Sequence, residues 1–326
     1  MANVPVAHQP PHFSTLRRRI RKNLWSYVFV LPAVIGTLLF VIYPIPGSLR
    51  YAFYNWSGIG EPTEFVGIRH FITVATDPFF WQAFRNSLVY TAVLVPIQLA
   101  LSLVLAVILN NPKLRLRGLF RTIYFLPIVT SLLVIGVVLR FMFQALAQNL
   151  PQFVYDIGFV DPILGFLSSP QLALPSVIAV GIWHSFGYNL IFFLAALQAV
   201  PEDLYEAATL DGAGLRQKFM YITIPMIKPV GIIIVFLAIL GSMKVFDSVL
   251  ALTGGGPFYA SEVIQSYIFS FAFPQRYGNN MLVEANYGYA SAAAIFVNVI
   301  LLGITILNVI AIRNARRQRQ TLNLDS

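Results

Sequence analysis

The segment EAATLDGAGLRQKFMYITIP, from Glu206 to Pro225, is polar and turn-prone, and it lies between two long apolar segments. A short helix is predicted to lead into it, because Pro201 suits a first helical turn and the helix dipole favours the acidic Glu202 and Asp203 at that end. The residues LYEAATL are good helix formers. Asp211-Gly212 is a turn signal that is expected to end this helix.

The remainder of the segment predicts a second short helix over Leu215–Tyr221, which Pro225 is expected to end before the next apolar run. The sequence therefore predicts a helix, a glycine turn and a helix lying along a membrane surface. Small and apolar side chains with acidic neighbours would be presented there; they are Leu204, Tyr205, Ala207, Ala208 and Phe219. Such a surface suits a groove in a soluble partner.

The composition indicates a membrane protein. The chain has 326 residues, of which 57% are hydrophobic and 11% charged, and its mean hydropathy is +0.72. A soluble domain usually carries about 25% charged residues, so the predicted fold is an all-α polytopic membrane protein. Cysteine is absent, which excludes a disulfide framework, a thiolate metal site and a cysteine nucleophile.

Six apolar stretches are long enough to cross a bilayer as helices, which takes about 20 residues. They are too continuous for the alternating strands of a barrel. The predicted spans are Trp25–Ile45, Ser87–Leu109, Thr122–Phe143, Leu172–Ala199, Pro229–Leu250 and Tyr287–Ile312. The predicted domains are an amino-terminal tail (1–24), a six-span transmembrane domain (25–312) with the polar loop at 200–228, and a carboxyl tail (313–326).

The basic residues predict the orientation of these spans. Sixteen Lys and Arg residues lie in the two tails and around the loops after the second and fourth spans, whereas four lie on the opposite side. Positive residues stay in the cytoplasm, so both termini and the Glu206 loop are predicted to be cytoplasmic. This distribution explains the formal charge of +9 without nucleic acid. The first span is too long for a cleavable signal peptide, and its flank LRRRIRK is typical of an anchor.

The first 15 residues, MANVPVAHQPPHFST, are rich in proline and are predicted to be disordered. His8 and His12 have helical spacing, but the prolines between and beside them disfavour a helix. No metal site is therefore predicted in this tail.

The polar segment resembles the EAA motif of permease subunits in binding-protein-dependent ABC importers. The resemblance lies in Glu206-Ala207-Ala208, Gly212, Ile222 and Pro225, and Ile224 stands where the family usually has Leu. Longer stretches are similar to the carbohydrate-uptake permeases, in particular to the first permease of the maltose and glycerol-phosphate systems. These stretches are AALQAVPEDLYEAATLDGA, LPAVIGTLLFVIYPIPGSLRYAFYNW, DPFFWQAFRNSLVYT and LALTGGGPFYASEVIQSYIF.

The resemblance implies a permease subunit of the bacterial inner membrane. Its partners would be a homologous second permease, two copies of an ATP-binding cytoplasmic subunit and an extracytoplasmic sugar-binding protein. The loop would be the coupling helix that docks on the ATPase, with Glu206 meeting a basic residue there. The residues assigned to coupling are Glu206, Ala207, Ala208, Asp211, Gly212, Ile222 and Pro225.

The chain is expected to borrow its energy from a partner. It contains no GxxxxGK[ST] run, so ATP and Mg²⁺ would be bound by the ATPase subunit. The glycine cluster Gly254–Pro257 lacks a following Lys and is predicted to be a tight outer loop. The subunit itself is expected to have no catalytic residues, no metal and no cofactor.

Polar side chains within the spans are candidates for the substrate path, because such groups are costly in lipid. Lys244 and Asp247 are three residues apart on the predicted fifth span, so they would share a helix face and can pair; a structural ion pair, or a pair near the outer interface, is the alternative. Tyr188 and Asn189 end the run WHSFGYN on the fourth span. An aromatic face and an amide suit a sugar, although helix packing explains them equally well. Asn298 on the sixth span is a weaker candidate.

Two other classes remain at this point. A secondary transporter driven by protons or sodium would need carboxylates in mid-span, and Asp247 is the plausible one. A membrane enzyme would need clustered His, Asp or Glu near an interface, and the four histidines are scattered along the chain. The combined motifs favour the importer.

Overall fold

The computed structural model describes residues 23–112, 114–149, 152–157, 165–273, 275–277 and 281–322. The predictions for residues 1–22, which include His8, His12 and the basic tail, lie outside these ranges. Lys113 and residues 323–326 lie outside them as well.

The described chain is mostly helical, as predicted, with two short hairpins in addition. The helices are α1 (Leu24–Thr37), α2 (Pro44–Tyr51), α3 (Arg69–Thr76), α4 (Pro78–Asn110), α5 (Arg117–Val129), α6 (Leu132–Gln148), α7 (Gln152–Asp156), α8 (Ala173–Gln198), α9 (Glu202–Leu210), α10 (Leu215–Lys218), α11 (Ile224–Met243), α12 (Asp247–Leu252), α13 (Ile264–Ala272) and α14 (Tyr287–Leu322). The strands are β1 (Tyr54–Asn55), β2 (Glu64–Phe65), β3 (Gln275–Tyr277) and β4 (Met281–Val283), and β1–β2 and β3–β4 pair antiparallel.

Several helices are long and apolar enough to cross a membrane. Within the described ranges there are four such segments, which are Trp25–Tyr51, Pro78–Asn110, Ala173–Gln198 and Leu215–Met243. The bent pair of α5 and α6 adds a fifth candidate, and the apolar part of α14, Tyr287–Gly303, is shorter. The chain is therefore a multi-pass membrane protein, and the count of six spans stays a prediction.

The third span is not the continuous helix that was predicted over Thr122–Phe143. α5 and α6 meet at an angle of 96°. Pro127 lies in the last turn of α5 and has no N–H to donate, which weakens the helix there. The Thr130 backbone N–H and hydroxyl donate to the Pro127 carbonyl at 3.4 and 2.6 Å. Thr130 and Ser131 are extended, so the chain changes direction before α6 begins.

The prediction that Lys244 and Asp247 share a face of one continuous helix is also wrong. α11 ends at Met243, and the Lys244 N–H donates to the Gly241 carbonyl at 3.2 Å in a tight final turn. Phe246 leaves the helical conformation with φ −146°, and Asp247 begins α12. The run over Pro229–Leu250 is long enough for one span, and charged residues such as Lys244 and Asp247 also occur within continuous spans, so the sequence does not predict the break.

Pro225 does not end a helix before the fifth span, contrary to expectation. α10 continues through a π-helical turn at Phe219–Thr223 directly into α11. Pro225 occupies the first turn of α11. The wider turn accommodates a residue that lacks an N–H and carries a ring, which is a common setting for a π-turn.

The helices fall into two compact units. In the unit made of residues 1–70 and 286–326, the Tyr287 N–H donates to the Trp56 carbonyl at 2.8 Å. A Cβ on Gly288 would overlap the Tyr54 carbonyl, so β1 and the start of α14 approach closely because residue 288 is glycine.

In the unit of residues 71–285, α4 and α8 pack along their length. Gly181 leaves room for the Tyr90 hydroxyl, which a Cβ at that position would overlap. Two groups of buried apolar side chains hold these helices together. One contains Leu94, Val177, Val180, Val249 and Leu252, and the other contains Ala106, Leu190, Phe193, Leu197 and Ile227.

Candidate functional site

A cavity of about 300 Å³ lies in the second unit and is lined by helices α4, α5, α6, α8, α11 and α12. It brings together residues that are far apart in the sequence. Its polar lining consists of Tyr90, Gln98, His184, Ser185, Tyr188, Asn189, Ser242, Lys244, Asp247 and Ser248. Amides, hydroxyls, an aromatic ring and both signs of charge can therefore meet one ligand.

Four of the five predicted path residues line this cavity. Tyr188 and Asn189 come from α8, and Lys244 and Asp247 come from the break between α11 and α12. The interruption of the helix thus places both charged residues at the cavity, although not in the arrangement that was predicted. Asn298 belongs to the other unit, and its amide donates to the Ala294 carbonyl at 2.8 Å.

The bend between α5 and α6 shapes one wall of the cavity. Ile128 and Leu132, on either side of the bend, both line it. His184 approaches the bend from α8, with its Nε2 atom 3.5 Å from the Thr130 carbonyl oxygen. The wall therefore depends on the proline-weakened helix end at Thr130.

Sequence reasoning missed Gln98 and Ser185. The Ser185 hydroxyl donates to the Gln98 side-chain oxygen and also to the Gly181 carbonyl, at 2.6 Å in the second case. Gln98 is 2% exposed, so this buried amide is oriented by its neighbours. The single amide of Gln98 within the apolar run Ser87–Leu109 could have indicated a site, because polar groups in a span are costly unless they have a role.

The loop after α8 has the predicted helix, glycine turn and helix. α9 ends in a paired backbone motif: the Ala213 N–H donates to the Ala208 carbonyl at 2.8 Å, and the Gly212 N–H donates to the Thr209 carbonyl at 3.1 Å. Gly212 has φ +77°, the left-handed conformation that this type of helix end requires and that glycine adopts without strain.

Side-chain contacts hold the two arms of this loop together. The Tyr205 and Thr223 hydroxyls lie 2.9 Å apart, and the Lys218 ammonium donates to the Thr209 hydroxyl at 2.6 Å. The Gly214 N–H donates to the Gln217 side-chain oxygen at 2.7 Å. The loop is therefore a structured element of the fold.

The loop at 200–228 carries both charged and apolar side chains that are exposed. Glu206, Ala207, Asp211 and Pro225 are exposed, while Ala208 and Ile222 are half-buried. Leu210 is 90% exposed and Leu215 is 88% exposed. Leu210 and Leu215 flank the glycine turn, and we call these two exposed side chains the apolar knob. Exposed apolar side chains of this kind are suited to a groove in another protein.

The beginning of α4 and the loop at 253–263, which both belong to stretches that resemble carbohydrate-uptake permeases, are joined by hydrogen bonds. The Asn86 amide in α4 donates to the carbonyls of Tyr259, Ala260 and Glu262 at 3.2, 3.1 and 2.9 Å. The Ile264 N–H donates to the Ser87 hydroxyl at 2.9 Å. The glycine-rich stretch 253–263 is therefore a tight loop, as predicted, and it is anchored to the beginning of α4.

Glu262, in this loop and outside the candidate membrane spans, is 1% exposed. Neither carboxylate oxygen finds a hydrogen-bond partner among the described residues. A Cβ on Gly255, which has φ +86°, would overlap this carboxylate. Burial raises the pKa of Glu262 to about 7, because the charged form loses its hydration.

We expect Glu262→Gln to stabilise the protein at pH 8 and to leave its stability unchanged near pH 4.5. A carboxyl whose folded-state pKa exceeds its usual 4.5 favours unfolding increasingly between pH 4.5 and pH 7, since the unfolded chain releases the proton first. The difference above pH 7 should be about 3 kcal/mol. Thermal unfolding midpoints across this range measure it, with the exposed Glu61→Gln as the control; a gap that does not change with pH would contradict the prediction.

The sequence of this chain matches a family of membrane transport proteins. Residues 98–320 match the family described as "Binding-protein-dependent transport system inner membrane component". The lactose transport system permease protein LacF of Rhizobium radiobacter is 37% identical over 262 residues, which is 80% of this chain and 86% of that protein. The trehalose/maltose transport system permease protein MalF of Thermococcus litoralis is 29% identical and covers 90% of this chain and 95% of its own length.

A solved structure is similar over almost the whole chain. It is a bacterial ABC transporter involved in the import of the acidic polysaccharide alginate, and the matched chain is 27% identical with a TM-score of 0.73. The match covers 92% of this chain and 99% of the other. A second structure of the alginate transporter, in complex with an alginate pentasaccharide-bound periplasmic protein, gives a TM-score of 0.68 at 25% identity.

Proposed function

Because the chain belongs to the family of binding-protein-dependent transport system inner membrane components, we propose that it forms the sugar path of an ATP-driven importer together with a second permease. Two ATP-binding cytoplasmic subunits would supply the energy, and an extracytoplasmic sugar-binding protein would deliver the substrate. ATP and Mg²⁺ would be bound by those ATPase subunits, and this subunit would carry no cofactor of its own.

The family assignment and the sugar-transport names of its relatives agree with the motifs in the sequence. The resemblance to carbohydrate-uptake permeases is therefore confirmed. The alternative of a secondary transporter is not favoured, since the matched family is described as binding-protein-dependent and the relatives are named as transport system permease proteins.

The observation that carries the proposal is the polar cavity in the second unit. Tyr188 supplies a ring that is 45% exposed, which suits the face of a pyranose. Asn189, Gln98 and Ser185 supply hydrogen-bonding groups for hydroxyls. Lys244 and Asp247 add charged groups, which form stronger hydrogen bonds than neutral ones. The path residues proposed are Tyr188, Asn189, Lys244 and Asp247, and Asn298 stays a prediction without this support.

We expect Asn189→Ala to lower the rate of sugar uptake about tenfold, the loss that follows when one buried hydrogen bond to substrate is removed. Asn149→Ala is the matched control, because that exposed amide donates to the Ala145 carbonyl at 2.7 Å and does not line the cavity. Uptake of radiolabelled sugar by proteoliposomes with equal amounts of assembled complex measures the effect. Normal uptake in Asn189→Ala would assign this amide to helix packing.

The loop at 200–228 is proposed as the coupling element. Its rigid helix, glycine turn and helix, the exposed carboxylate of Glu206 and the apolar knob of Leu210 and Leu215 support docking in a cleft of the ATPase. Changes in the ATPase would then move the attached membrane helices between two conformations of the path.

We further propose six spans with both termini in the cytoplasm, which the distribution of basic residues supports. The chain has no Cys, so single cysteines can be introduced without a background. Gln320→Cys is expected to react with a membrane-impermeant maleimide only after the cells are opened, whereas Glu61→Cys should react in intact cells. Labelling of position 320 in intact cells would overturn this orientation.

A further inference from the structure

A second opening, separate from the polar cavity, lies between α5 and α8. It is a groove of about 390 Å³ with two kinds of lining. Arg121, Thr122 and Gln198 supply its polar groups, while Phe125, Ile191 and Ala195 are among its apolar ones.

The helices α5 and α8 that line the groove run in opposite directions. Thr130 lies beside His184, and Tyr124 lies beside Gly187, so earlier residues of α5 face later residues of α8. The guanidinium of Arg121 lies at the carboxyl end of the candidate span Pro78–Asn110, where it contacts the Leu109 carbonyl. The apolar side chains Phe125, Ile191 and Ala195 line the same groove.

Arg121 has donors to spare. One guanidinium nitrogen donates to the Leu109 carbonyl at 3.4 Å, and the half-buried side chain makes no other hydrogen bond with the described residues, which leaves its other terminal N–H groups for a ligand in the groove. Among the described residues Arg121 also has no acidic partner. A guanidinium at a membrane boundary with unused donors favours a phosphate, which accepts several hydrogen bonds at once.

We propose that this groove binds one anionic phospholipid. Arg121 holds the phosphate with help from the Gln198 amide, and an acyl chain lies along Phe125, Ile191 and Ala195. Basic pockets at the ends of transmembrane helices are known to suit anionic headgroups. A basic group and apolar side chains in the same groove fit an amphiphile better than a soluble anion. The proposal depends on membrane insertion and not on sugar transport.

Helix capping and subunit pairing are the roles that compete with lipid binding in this groove. Arg121 donates to one of the last carbonyls of α4, so its role could be confined to capping that helix. Alternatively, a helix of the second permease could fill the groove. If Arg121 only caps α4, the groove should bind no lipid. If the second permease fills the groove, pairing of the two permeases should depend on the apolar lining.

The test uses the full-length chain co-expressed with its partner subunits, purified in detergent and depleted of lipid. Dioleoylphosphatidylglycerol or dioleoylphosphatidylcholine is then added, and bound lipid is counted by native mass spectrometry. Arg121→Gln should weaken binding of the phosphatidylglycerol about fivefold, the effect of one arginine near an anionic lipid. Arg115→Gln, an exposed basic residue outside the groove, should leave the affinity unchanged. Phosphatidylcholine should bind more weakly and be insensitive to Arg121→Gln.

Ala195→Trp is the second variant. Ala195 is exposed in the groove, so the indole fills the acyl channel while Arg121 keeps its bond to Leu109. The Ala195→Trp variant should also bind phosphatidylglycerol more weakly than wild type. This variant provides the test of the proposal if Arg121→Gln fails to fold. Equal lipid affinity in wild type and Ala195→Trp overturns the proposal. Displacement of the lipid by millimolar inorganic phosphate, or loss of the second permease from the Ala195→Trp complex, overturns it as well.

Discussion

Reversing the charge of Glu206 with Glu206→Lys is expected to abolish sugar-stimulated ATP hydrolysis by the assembled importer. The side chain is exposed on α9, so it is available to a basic residue of the ATPase. A charged contact that is desolvated on docking is worth about 2–5 kcal/mol when one partner is removed. A lysine at this position adds repulsion to that loss, so the ATPase subunit should also be lost during co-purification.

Controls separate docking from general damage to the loop. Glu61→Lys makes the same charge change at an exposed position in the other unit and should leave stimulation normal. Gly212→Val should impair stimulation by a different route, because a β-branched residue is strained at φ +77°. ATPase activity of the reconstituted complex, with binding protein and sugar present, is the measurement. Wild-type stimulation and co-purification in both Glu206→Lys and Gly212→Val would show that the loop is not the coupling element.

Gly187→Leu is expected to prevent accumulation of folded protein. Gly187 in α8 faces the backbone of α5, where a Cβ would overlap the Tyr124 carbonyl oxygen and lie 3.1 Å from its carbonyl carbon and 3.4 Å from the Phe125 Cα. Backbone cannot rotate away as a flexible side chain can, so the two helices must separate. Overpacking of this kind typically costs about 1–3 kcal/mol and sometimes more, and a leucine adds three further carbons.

The smaller change Gly187→Ala should already lower the thermal unfolding midpoint. Gly231→Ala is the matched control, since a Cβ at that position in α11 meets nothing within 4 Å, and alanine favours a helix. Fluorescence-detected size-exclusion chromatography after heating measures both variants. A Gly187→Ala protein as stable as wild type would contradict the close approach of α5 and α8.

The sequence by itself determined the class of protein and the helix, glycine turn and helix of the 200–228 loop. Long apolar runs identify membrane helices from composition alone, because lipid contact selects apolar side chains all around a helix. The turn at Gly212 was also predictable, since it depends on backbone conformations within a few residues. The EAA resemblance, which depends on the order of nearby residues, led to the same family as the comparison of whole chains.

The tertiary structure alone decided where helices break and which polar groups meet. Pro127 and Pro225 both lie in or beside predicted spans, yet one precedes a 96° bend and the other follows a π-turn within a continuing helix. The interruption at Lys244 likewise does not follow from composition, because charged residues also occur within continuous spans. Helix ends within an apolar run depend on packing against distant elements, which local preferences do not encode.

One cavity brings together Gln98, Asn189, Lys244 and Asp247. Only the tertiary structure shows this, because it depends on the packing of distant helices. The same holds for the anchoring of the 253–263 loop by Asn86, across more than 170 positions of the sequence. Sequence spacing predicts contacts only within one regular helix, where residues three or four apart share a face. Once a helix breaks, as it does between Lys244 and Asp247, the neighbours of each residue are set by the packing of whole helices.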